Sequence, residues 1–260
     1  MSDLLYLHFD VRGALLDAAR ECEEEVFLQA FGNTRAQLED EYGPYNDQSL
    51  FMAVSDSRGD VVGACRILSD GPAGLKTLND IQRDPWRVDG MRSAGLAGID
   101  PARTWDIATL GVRRDFRGPK FMVALSMYHG LLKAGRVNEM QTGIAILDLK
   151  AYEAMLGAGL TFAALPGTRP ASYLGSESSV PMYGHFSEVA DAQRRTQPDL
   201  YDRMISANVT PPFARPAPPL WNAVITRRRD FETRSSADGQ GTVCLTVATH
   251  GIGILGTLDI

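Results

Sequence analysis

The hydrophobic pattern of the first third of the chain begins with helical spacing. A stripe runs through residues 13–31, and its members are Leu15, Ala19, Cys22, Val26 and Ala30. This spacing predicts an amphipathic helix that ends at Gly32, after a short apolar strand over residues 4–9. Asn33 and Thr34 can cap a second, shorter helix that follows.

A hairpin and a long polar segment come next. Apolar, β-prone runs over 50–55 and 61–68 enclose the turn residues 56–60, which predicts two antiparallel strands. The segment 69–103 is rich in glycine, proline and arginine, and it predicts little regular structure beyond a helical turn near Leu78. A segment of this length inside a compact domain is more often a functional loop or lid than filler.

Strands and helices alternate over the middle of the chain. The predicted elements are strands at 104–112 and 139–147, helices at 121–135 and 148–159, and further strands at 160–167 and 180–186. Hairpins come first and β-α-β units follow. This order indicates an α/β sandwich with a mixed sheet and helices on both faces.

The last third changes in composition. A polar stretch with two helical candidates precedes residues 210–219, where five prolines in ten residues predict an extended connector. Two more strands are predicted over 221–226 and 242–249. The expected organisation is an α/β domain at 1–186 and a C-terminal extension at 187–260.

Composition and charge exclude several classes of protein. The chain has 260 residues, 44% hydrophobic and 22% charged, a balance that excludes disordered and fibrous proteins. Its formal net charge of -6 argues against a broad nucleic-acid-binding surface. No apolar run reaches the roughly 18 residues that a membrane helix needs, and the first residues lack the basic start of a signal peptide. The 3 cysteines are scattered, so no zinc or disulfide framework follows. A soluble, cytoplasmic, metal-independent protein is expected.

Cationic side chains cluster after the strand at 104–112. The loop and the start of the next helix hold Arg113, Arg114, Arg117, Gly118 and Lys120. Free N–H groups and the positive end of the helix dipole make such a helix start an anion site, and phosphate or pyrophosphate is the ligand expected. A solvated basic turn is the alternative.

The same loop resembles that of a known superfamily. GVRRDFRG (residues 111–118), followed by a helix, resembles the acyl-donor loop of the GNAT N-acyltransferases. The resemblance implies that the strand edge at Leu110 and Val112, together with the basic loop, holds the pantetheine arm and pyrophosphate of the acyl donor. Lys120 and Met122 stand where the superfamily has two further glycines.

Over roughly residues 10–175 the chain resembles the acyl-homoserine-lactone (autoinducer) synthase branch of that fold. The matching positions are Asp47, Gly63, Arg66, Leu68, Gly71, Pro72 and Leu75. TWDIATLGV, residues 104–112, resembles the family's Trp-Glu-x-Ser-Arg-Phe-x-Val strand. The resemblance implies a GNAT-like twisted mixed sheet, and it places Asp47, Arg66 and Thr109 among the substrate-binding residues.

Several positions depart from the family pattern. Asp106 stands in place of a glutamate proposed to assist deprotonation of the amine, and Thr109 in place of an arginine. Ala145 and Leu147 replace threonines that face the acyl donor, and Glu153 replaces an arginine of the closing helix. The resemblance therefore implies acyl transfer to an amine without specifying homoserine lactone as product or S-adenosylmethionine as acceptor.

The candidate side chains each have a catalytic and a structural interpretation. An amine attacks a thioester only when neutral, so Asp106 is the candidate base, directly or through water. Alternatively, Asp106 pairs with Arg66 or Arg103. Arg66 can hold an acceptor carboxylate through its planar fork, or form an ion pair with Asp47 or Asp106. Tyr152 is the candidate acid for the leaving thiolate, and a packed core tyrosine is the alternative.

The leading hypothesis is N-acyl transfer from a thioester carrier to the amine of a small metabolite. The carrier is acyl carrier protein or coenzyme A, and acidic carrier proteins would be attracted to the basic loop. No bound cofactor is expected, because an acyl thioester or S-adenosylmethionine would serve as a co-substrate. Two alternatives stay open: an enzyme that consumes S-adenosylmethionine on the same fold without an acyl donor, and a non-catalytic GNAT-like binding module.

Overall fold

The computed structural model of the protein describes residues 5–118, 120–204 and 242–243. The strands are β1 (Tyr6–Phe9), β2 (Ser49–Ser55), β3 (Val61–Ser69), β4 (Thr104–Val112), β5 (Thr142–Asp148), β6 (Ala163–Ala164), β7 (Ala171–Tyr173), β8 (Ser176–His185) and β9 (Thr242–Val243). The helices are α1 (Gly13–Phe31), α2 (Arg35–Tyr42), α3 (Lys76–Asp80), α4 (Gly90–Leu96), α5 (Lys120–Val137), α6 (Leu149–Gly157), α7 (Phe186–Thr196) and α8 (Pro198–Met204). Short 3-10 helices cover Gly43–Gln48 and Pro101–Arg103.

The strands of the described residues form one mixed sheet. Its order is β6-β8-β5-β4-β3-β2-β1-β9, with β7 paired to β8. The pairing of β4 with β5 is parallel, and the other pairings are antiparallel. A parallel neighbour needs a crossover connection, and α5 supplies it. The predicted mixed α/β sheet is therefore confirmed.

The parallel pair in the middle of the sheet is short. β4 and β5 pair only over Thr104–Asp106 and Thr142–Ile144. Just beyond, the pairing of β4 with β3 skips Ala108, which marks a β-bulge in β4. A bulge bends its strand and increases the local twist. The sheet is therefore open between β4 and β5 beyond Asp106.

Helices cover both faces of the sheet. Alternate residues of β2 show this, because Phe51 and Ala53 pack in one buried cluster with α1 whereas Met52 and Val54 pack in another with α5. Gly63 of β3 permits close packing of α5, since a Cβ at this position would lie 2.5 Å from Val123 Cγ1. The two helical layers predicted from the sequence are confirmed.

The predicted ends of the first two helices are confirmed. Gly32 follows α1 in the left-handed region at φ 73°, where its N–H bonds the carbonyl of Leu28. Thr34 caps α2, because its side chain accepts a hydrogen bond from the N–H of Gln37 while the Gln37 side chain accepts from the N–H of Thr34. This capping box fixes where α2 begins.

The segment between β3 and β4 is more ordered than the sequence predicts. It forms α3 and α4, and Asp89 caps α4 by accepting a hydrogen bond from the N–H of Arg92. The segment has its own buried cluster, which includes Leu75, Leu78, Ile81, Trp86, Ala94 and Ile99. Sequence analysis missed α4 because a seven-residue helix with two glycines is too short to show a helical period.

The C-terminal strands also differ from the prediction. β8 already begins at Ser176, and β7 pairs with it although no strand is predicted there. α7 packs through Phe186 and Val189 into the same core as α5. The proline-rich connector and the strand at 221–226 lie outside the described residues, and of the strand at 242–249 only β9 is described, paired with β1. The division of the chain at residue 186 stays a prediction. No described helix has the length and apolar character needed to cross a membrane.

Candidate active site

A cavity of about 180 Å³ lies where β4 and β5 part. Residues 106–112 of β4 and 143–148 of β5 form its two sides. Its walls are mainly apolar and include Val26, Phe27, Phe31, Tyr128, Leu131 and Phe162. Six of its polar residues lie on α3 or contact it, and we call them the polar end: Tyr42, Lys76, Thr77, Asp80, Asp106 and Tyr173.

Asp106 lies at the last position of β4 that pairs with β5, at the polar end of the cavity. Its side chain is fully buried and accepts two hydrogen bonds from Thr77, from the N–H to Oδ2 at 2.6 Å and from Oγ1 to Oδ1 at 2.8 Å. Burial raises the pKa of Asp106 to about 7, against the opposing effect of the Thr77 hydrogen bonds. Asp106 is therefore a carboxyl group that exchanges a proton near neutral pH.

The ion pairs considered for Asp106 do not form. Arg103 donates from Nε to the carbonyl of Glu139, and Arg66 pairs with Glu23 instead. The structural alternative for Asp106, an ion pair with an arginine, is therefore wrong. Its partner is Thr77, a residue of the segment in which the sequence predicts little regular structure.

Lys76 and Asp80 bring a buried ion pair to the polar end. Lys76 Nζ lies 2.5 Å from Asp80 Oδ2 and 2.8 Å from Glu41 Oε2, and it donates to the Tyr173 hydroxyl at 3.0 Å. Burial alone would lower the pKa of Lys76, but Asp80 and Glu41 outweigh it and hold this pKa above its ordinary value. Sequence analysis missed this pair. The available signal is the spacing of four residues between a lysine and an aspartate on one face of α3.

The rings of two tyrosines flank the Lys76 ammonium. Its nitrogen lies 5.2 Å from the centre of the Tyr42 ring and 5.7 Å from that of Tyr173. The Tyr173 hydroxyl donates to Asp80 Oδ2 at 2.5 Å, and burial together with Asp80 raises the pKa of Tyr173. Tyr173 is therefore a neutral donor at physiological pH.

Arg66 belongs to a separate buried network. Its Nη2 lies 2.6 Å from Glu23 Oε2, and its Nε donates to Glu23 Oε1 at 3.0 Å. Thr109 Oγ1 donates to Glu23 Oε1 and accepts from the N–H of Arg66. The guanidinium also stacks between two rings, 4.8 Å from the centre of Tyr42 and 4.7 Å from that of Phe51. Thr109 lines the cavity, whereas Arg66 and Glu23 do not.

Neither partner considered for Arg66 pairs with it. Asp47 is exposed, and the neighbouring Asn46 accepts from Arg66 Nη1 at 3.3 Å. Sequence analysis missed Glu23, the residue that does pair with Arg66. The signal was available, because Glu23 interrupts the apolar stripe of α1 beside Cys22 and an acid at a core-facing position needs a buried partner.

The predicted donor-binding residues divide into two groups. Leu110 and Val112 line the cavity between the strands. Arg113 is held by α1, because its Nη2 lies 3.3 Å from Glu25 Oε2. Arg114 and Arg117 are exposed on the loop, and Lys120 begins α5. The roles of these residues stay predictions.

A second cavity of about 720 Å³ lies between this loop and the turn that joins β2 to β3. The loop contributes Arg117 and Gly118, and carboxylates also line it, namely Asp56, Asp60 and Asp115. Since Arg58 pairs with Asp56 and Asp60, the local charge is mixed. Arginines of the loop therefore face carboxylates in this cavity, and their donor-binding role stays a prediction.

Tyr152 lies on α6 beside the cavity, and its hydroxyl donates to the carbonyl of Phe162 at 2.8 Å. Its neighbours Ala151 and Met155 line the cavity, and Tyr152 is absent from the lining. Ala145 and Leu147, the positions of the family's threonines, both line it. Within the described part of the chain, no group of three or more metal-ligating side chains is placed to hold a metal ion.

Comparison with known proteins identifies the fold. No family model and no curated protein sequence matches this chain. An N-acyl amino acid synthase from uncultured soil microbes (FeeM) is similar in structure, with a TM-score of 0.55, 13% sequence identity, and coverage of 75% of this chain and 97% of that chain. A coenzyme A-dependent acyl-homoserine lactone synthase (BjaI), solved with S-adenosylmethionine and isopentyl-coenzyme A, has a TM-score of 0.51 and 17% identity over 78% of this chain and 89% of that chain. The GNAT-like fold implied by the sequence resemblance is therefore confirmed, and this chain shares it with these two synthases.

Proposed function

We propose that this protein is an N-acyltransferase that moves an acyl group from a thioester carrier to the amine of a small metabolite. The observation that carries the proposal is Asp106, a fully buried carboxyl whose pKa is raised to about 7, at the polar end of an apolar cavity between two parting strands. A base with a pKa near the working pH is most effective at proton transfer. The similarity to two acyl-transferring synthases supports the same chemistry.

The reaction needs a base for the amine proton, donors for the oxyanion and a proton for the leaving thiolate. The neutral amine attacks the thioester carbonyl carbon, so a C–N bond forms and the C–S bond breaks. Asp106 accepts the amine proton, and the thiolate leaves with the C–S electron pair and takes a proton from solvent, which its ordinary pKa near 8.5 makes the easier step. Along β4 beyond Asp106, N–H groups with no partner on β5 can donate to the oxyanion. The role of Tyr152 as the acid stays a prediction, and its hydroxyl donates to the carbonyl of Phe162.

The walls of the cavity fit an acyl chain. Leu110, Val112 and Leu131 are among the apolar residues that line it, and burying methylene groups there contributes about 0.8 kcal/mol for each. We assign the exposed Arg114 and Arg117 to the phosphate or carrier-protein end of the donor, with acyl carrier protein and coenzyme A as the two candidate carriers. Changing both arginines to glutamate should raise the donor KM at least tenfold with little change in kcat, and an unchanged KM would contradict this assignment.

The decisive experiment measures thiol release. The purified protein is incubated with acyl-coenzyme A donors of increasing length, or with acyl carrier protein loaded with the same chains, and a panel of amines. Asp106→Asn should lower kcat by about 10²–10⁴ because the base is lost. Asp40→Asn, an exposed residue on α2, is the matched control and should keep wild-type activity. Full activity in Asp106→Asn would refute the assigned base, and absence of amine-dependent thiol release would favour the non-catalytic binding module.

A second candidate uses S-adenosylmethionine as the consumed substrate. The carboxylates of Asp80 and Asp106 line the cavity, and such charges attract a sulfonium cation. The similar structure of an acyl-homoserine lactone synthase was solved with this molecule. Release of methylthioadenosine in the absence of any acyl donor would favour this candidate over acyl transfer.

A further inference from the structure

Acidic groups dominate the charges that line the cavity. Its Asp, Glu, Lys and Arg residues in the described part of the chain are Lys76, Asp80, Asp106 and Asp148. Asp148 is engaged, because it caps α6 and accepts a hydrogen bond from Ser176 at 2.7 Å. The charge that a bound acceptor meets at the polar end is therefore set by two carboxyls and one ammonium.

Both cations near the polar end are already paired. Lys76 lies 2.5 Å from Asp80 and 2.8 Å from Glu41, and Arg66 lies 2.6 Å from Glu23. A carboxylate on the acceptor would have to compete with these acids for their cations, and displacing the buried Asp80 or Glu23 would leave that acid without its partner. The described residues of the polar end thus offer a substrate carboxylate no uncommitted cation.

Asp80, in contrast, keeps an uncommitted oxygen. The hydrogen bonds from Lys76 and from Tyr173 both reach Oδ2, and no hydrogen bond from residues 5–118 or 120–204 reaches Oδ1. The side chain is 10% exposed and belongs to the cavity lining. A carboxylate oxygen that lines a cavity and accepts no hydrogen bond from the protein is a place for a cation or a donor from the ligand.

The carboxyls of Asp80 and Asp106 are neighbours at the polar end. Thr77, the partner of Asp106, and Asp80 are three residues apart on α3, so their side chains lie on the same side of the helix. We infer that the acceptor is an amine with a second positive charge and no carboxylate, such as a diamine or polyamine. This inference rests on the proposed acyl transfer: one amine, in its neutral form, attacks the thioester and gives its proton to Asp106, while the second, protonated amine pairs with Asp80. The acceptor class then differs from the amino acid named for the similar synthase of soil microbes.

The test compares acceptors that differ only in the carboxylate or only in the second charge. Cadaverine is compared with lysine and agmatine with arginine for the first difference, and cadaverine with pentylamine for the second, always with the same acyl donor. We expect kcat/KM to favour the decarboxylated member of each pair, and the diamine over the monoamine, by at least about tenfold. Equal or better use of the amino acids would overturn the inference.

A variant isolates the role of Asp80. Asp80→Asn removes the charge that pairs with the second cation, so the preference for cadaverine over pentylamine should fall by at least about tenfold. It also removes one of the two acids that pair with Lys76, so kcat/KM for free lysine as acceptor should rise relative to that for cadaverine. Asp40→Asn is the surface control. An unchanged cadaverine to pentylamine ratio in folded Asp80→Asn protein would contradict the assignment.

A binding measurement separates failure of this inference from failure of the proposed function. Thermal shifts are recorded with cadaverine, lysine and pentylamine, each without an acyl donor. Stabilisation by cadaverine alone, with no acyl transfer to any amine, would support the cation site and refute the transferase. Stabilisation by lysine at least as strong as by cadaverine would overturn the cation site, whatever the activity.

Discussion

The ring of Tyr42 contacts two buried ion pairs, and the two pairs have different roles. Arg66 and Glu23 lie on one side, Lys76 and Asp80 on the other, and the ring contacts both cations at 4.8 and 5.2 Å. The Arg66 network is closed, because Thr109, Asn46 and two rings satisfy it and neither charged group lines the cavity. The Lys76 pair lines the cavity and keeps one carboxylate oxygen open. A buried charged group has a structural role when the protein satisfies all its hydrogen bonds. It can bind a ligand when one of its atoms still lacks a partner.

The largest expected effect is on the closed network. Glu23→Gln leaves the 6%-exposed Arg66 without a counter-charge, which should lower the free energy of unfolding by about 3–5 kcal/mol. Asp80→Asn should lower the free energy of unfolding by less, because Lys76 still pairs with Glu41. Urea unfolding of both variants measures the difference. Glu24→Gln, a change beside Glu23 on α1 that removes a pair with the exposed Arg35 of α2, should change stability by no more than about 0.5 kcal/mol. Equal losses of unfolding free energy for Glu23→Gln and Asp80→Asn would contradict the distinction between the two ion pairs.

The next effect has the opposite sign and depends on pH. The pKa of Asp106 is raised from 3.8 in the unfolded chain to about 7 in the fold, so the fold favours the protonated form. The stability that the fold gains from protonated Asp106 is fully present below about pH 4 and is lost as the pH rises through 7. Asp106→Asn should therefore be more stable than the wild type at pH 8, by up to about 4 kcal/mol from the 1.36 kcal/mol that corresponds to each pKa unit. The gain should shrink toward zero at pH 4. A gain that is independent of pH would show that ionisation of Asp106 does not limit stability.

A smaller effect is expected where Thr109 joins the closed network to the cavity. Thr109→Val removes the donor to Glu23 and the acceptor of the Arg66 N–H. Leaving these buried groups without a partner should lower the free energy of unfolding by about 1–3 kcal/mol. Thr109→Ser keeps the hydroxyl and should lose less. If the valine variant is as stable as the serine variant, the hydroxyl is not part of the network.

The smallest expected effect is the pH dependence of the rate. Only the ionised form of Asp106 can accept a proton, so log kcat should rise by one unit for each pH unit below 7 and level off above it. The pH profile of kcat, taken with two acceptors of different amine pKa, checks this. An inflection that follows the amine would assign the titration to the substrate and would contradict Asp106 as the base.

The sequence predicts the fold better than the site. The stripe of α1, the hairpin of β2 and β3, and the strand that carries Asp106 each have a local period, so their elements can be read from neighbouring residues. Gly32 and Thr34 even indicate where helices end and begin. Local pattern and final structure agree here because each element buries one regular face.

The partners within the site could not be read in the same way. Asp106 is 29 positions from Thr77, and Arg66 is 43 positions from Glu23. These pairs form because helix α1 and the segment with α3 both pack against the sheet. A single sequence shows that Arg66 needs an acid, but several acids are available. The choice of Glu23 over Asp47 depends on packing, which no short-range spacing encodes.

The short parallel pairing of β4 with β5 should also appear in amide hydrogen exchange. Beyond Asp106, β4 remains bonded to β3 on one edge only, so successive amides along this strand alternate between a strand partner and the cavity. Amides bonded to β3 should exchange slowly, and amides that face the cavity should exchange fast. In an ordinary central strand, every amide would be protected. Filling the cavity would slow the fast set. Hydrogen exchange along β4 would thus report whether a ligand fills the cavity, before any product is formed.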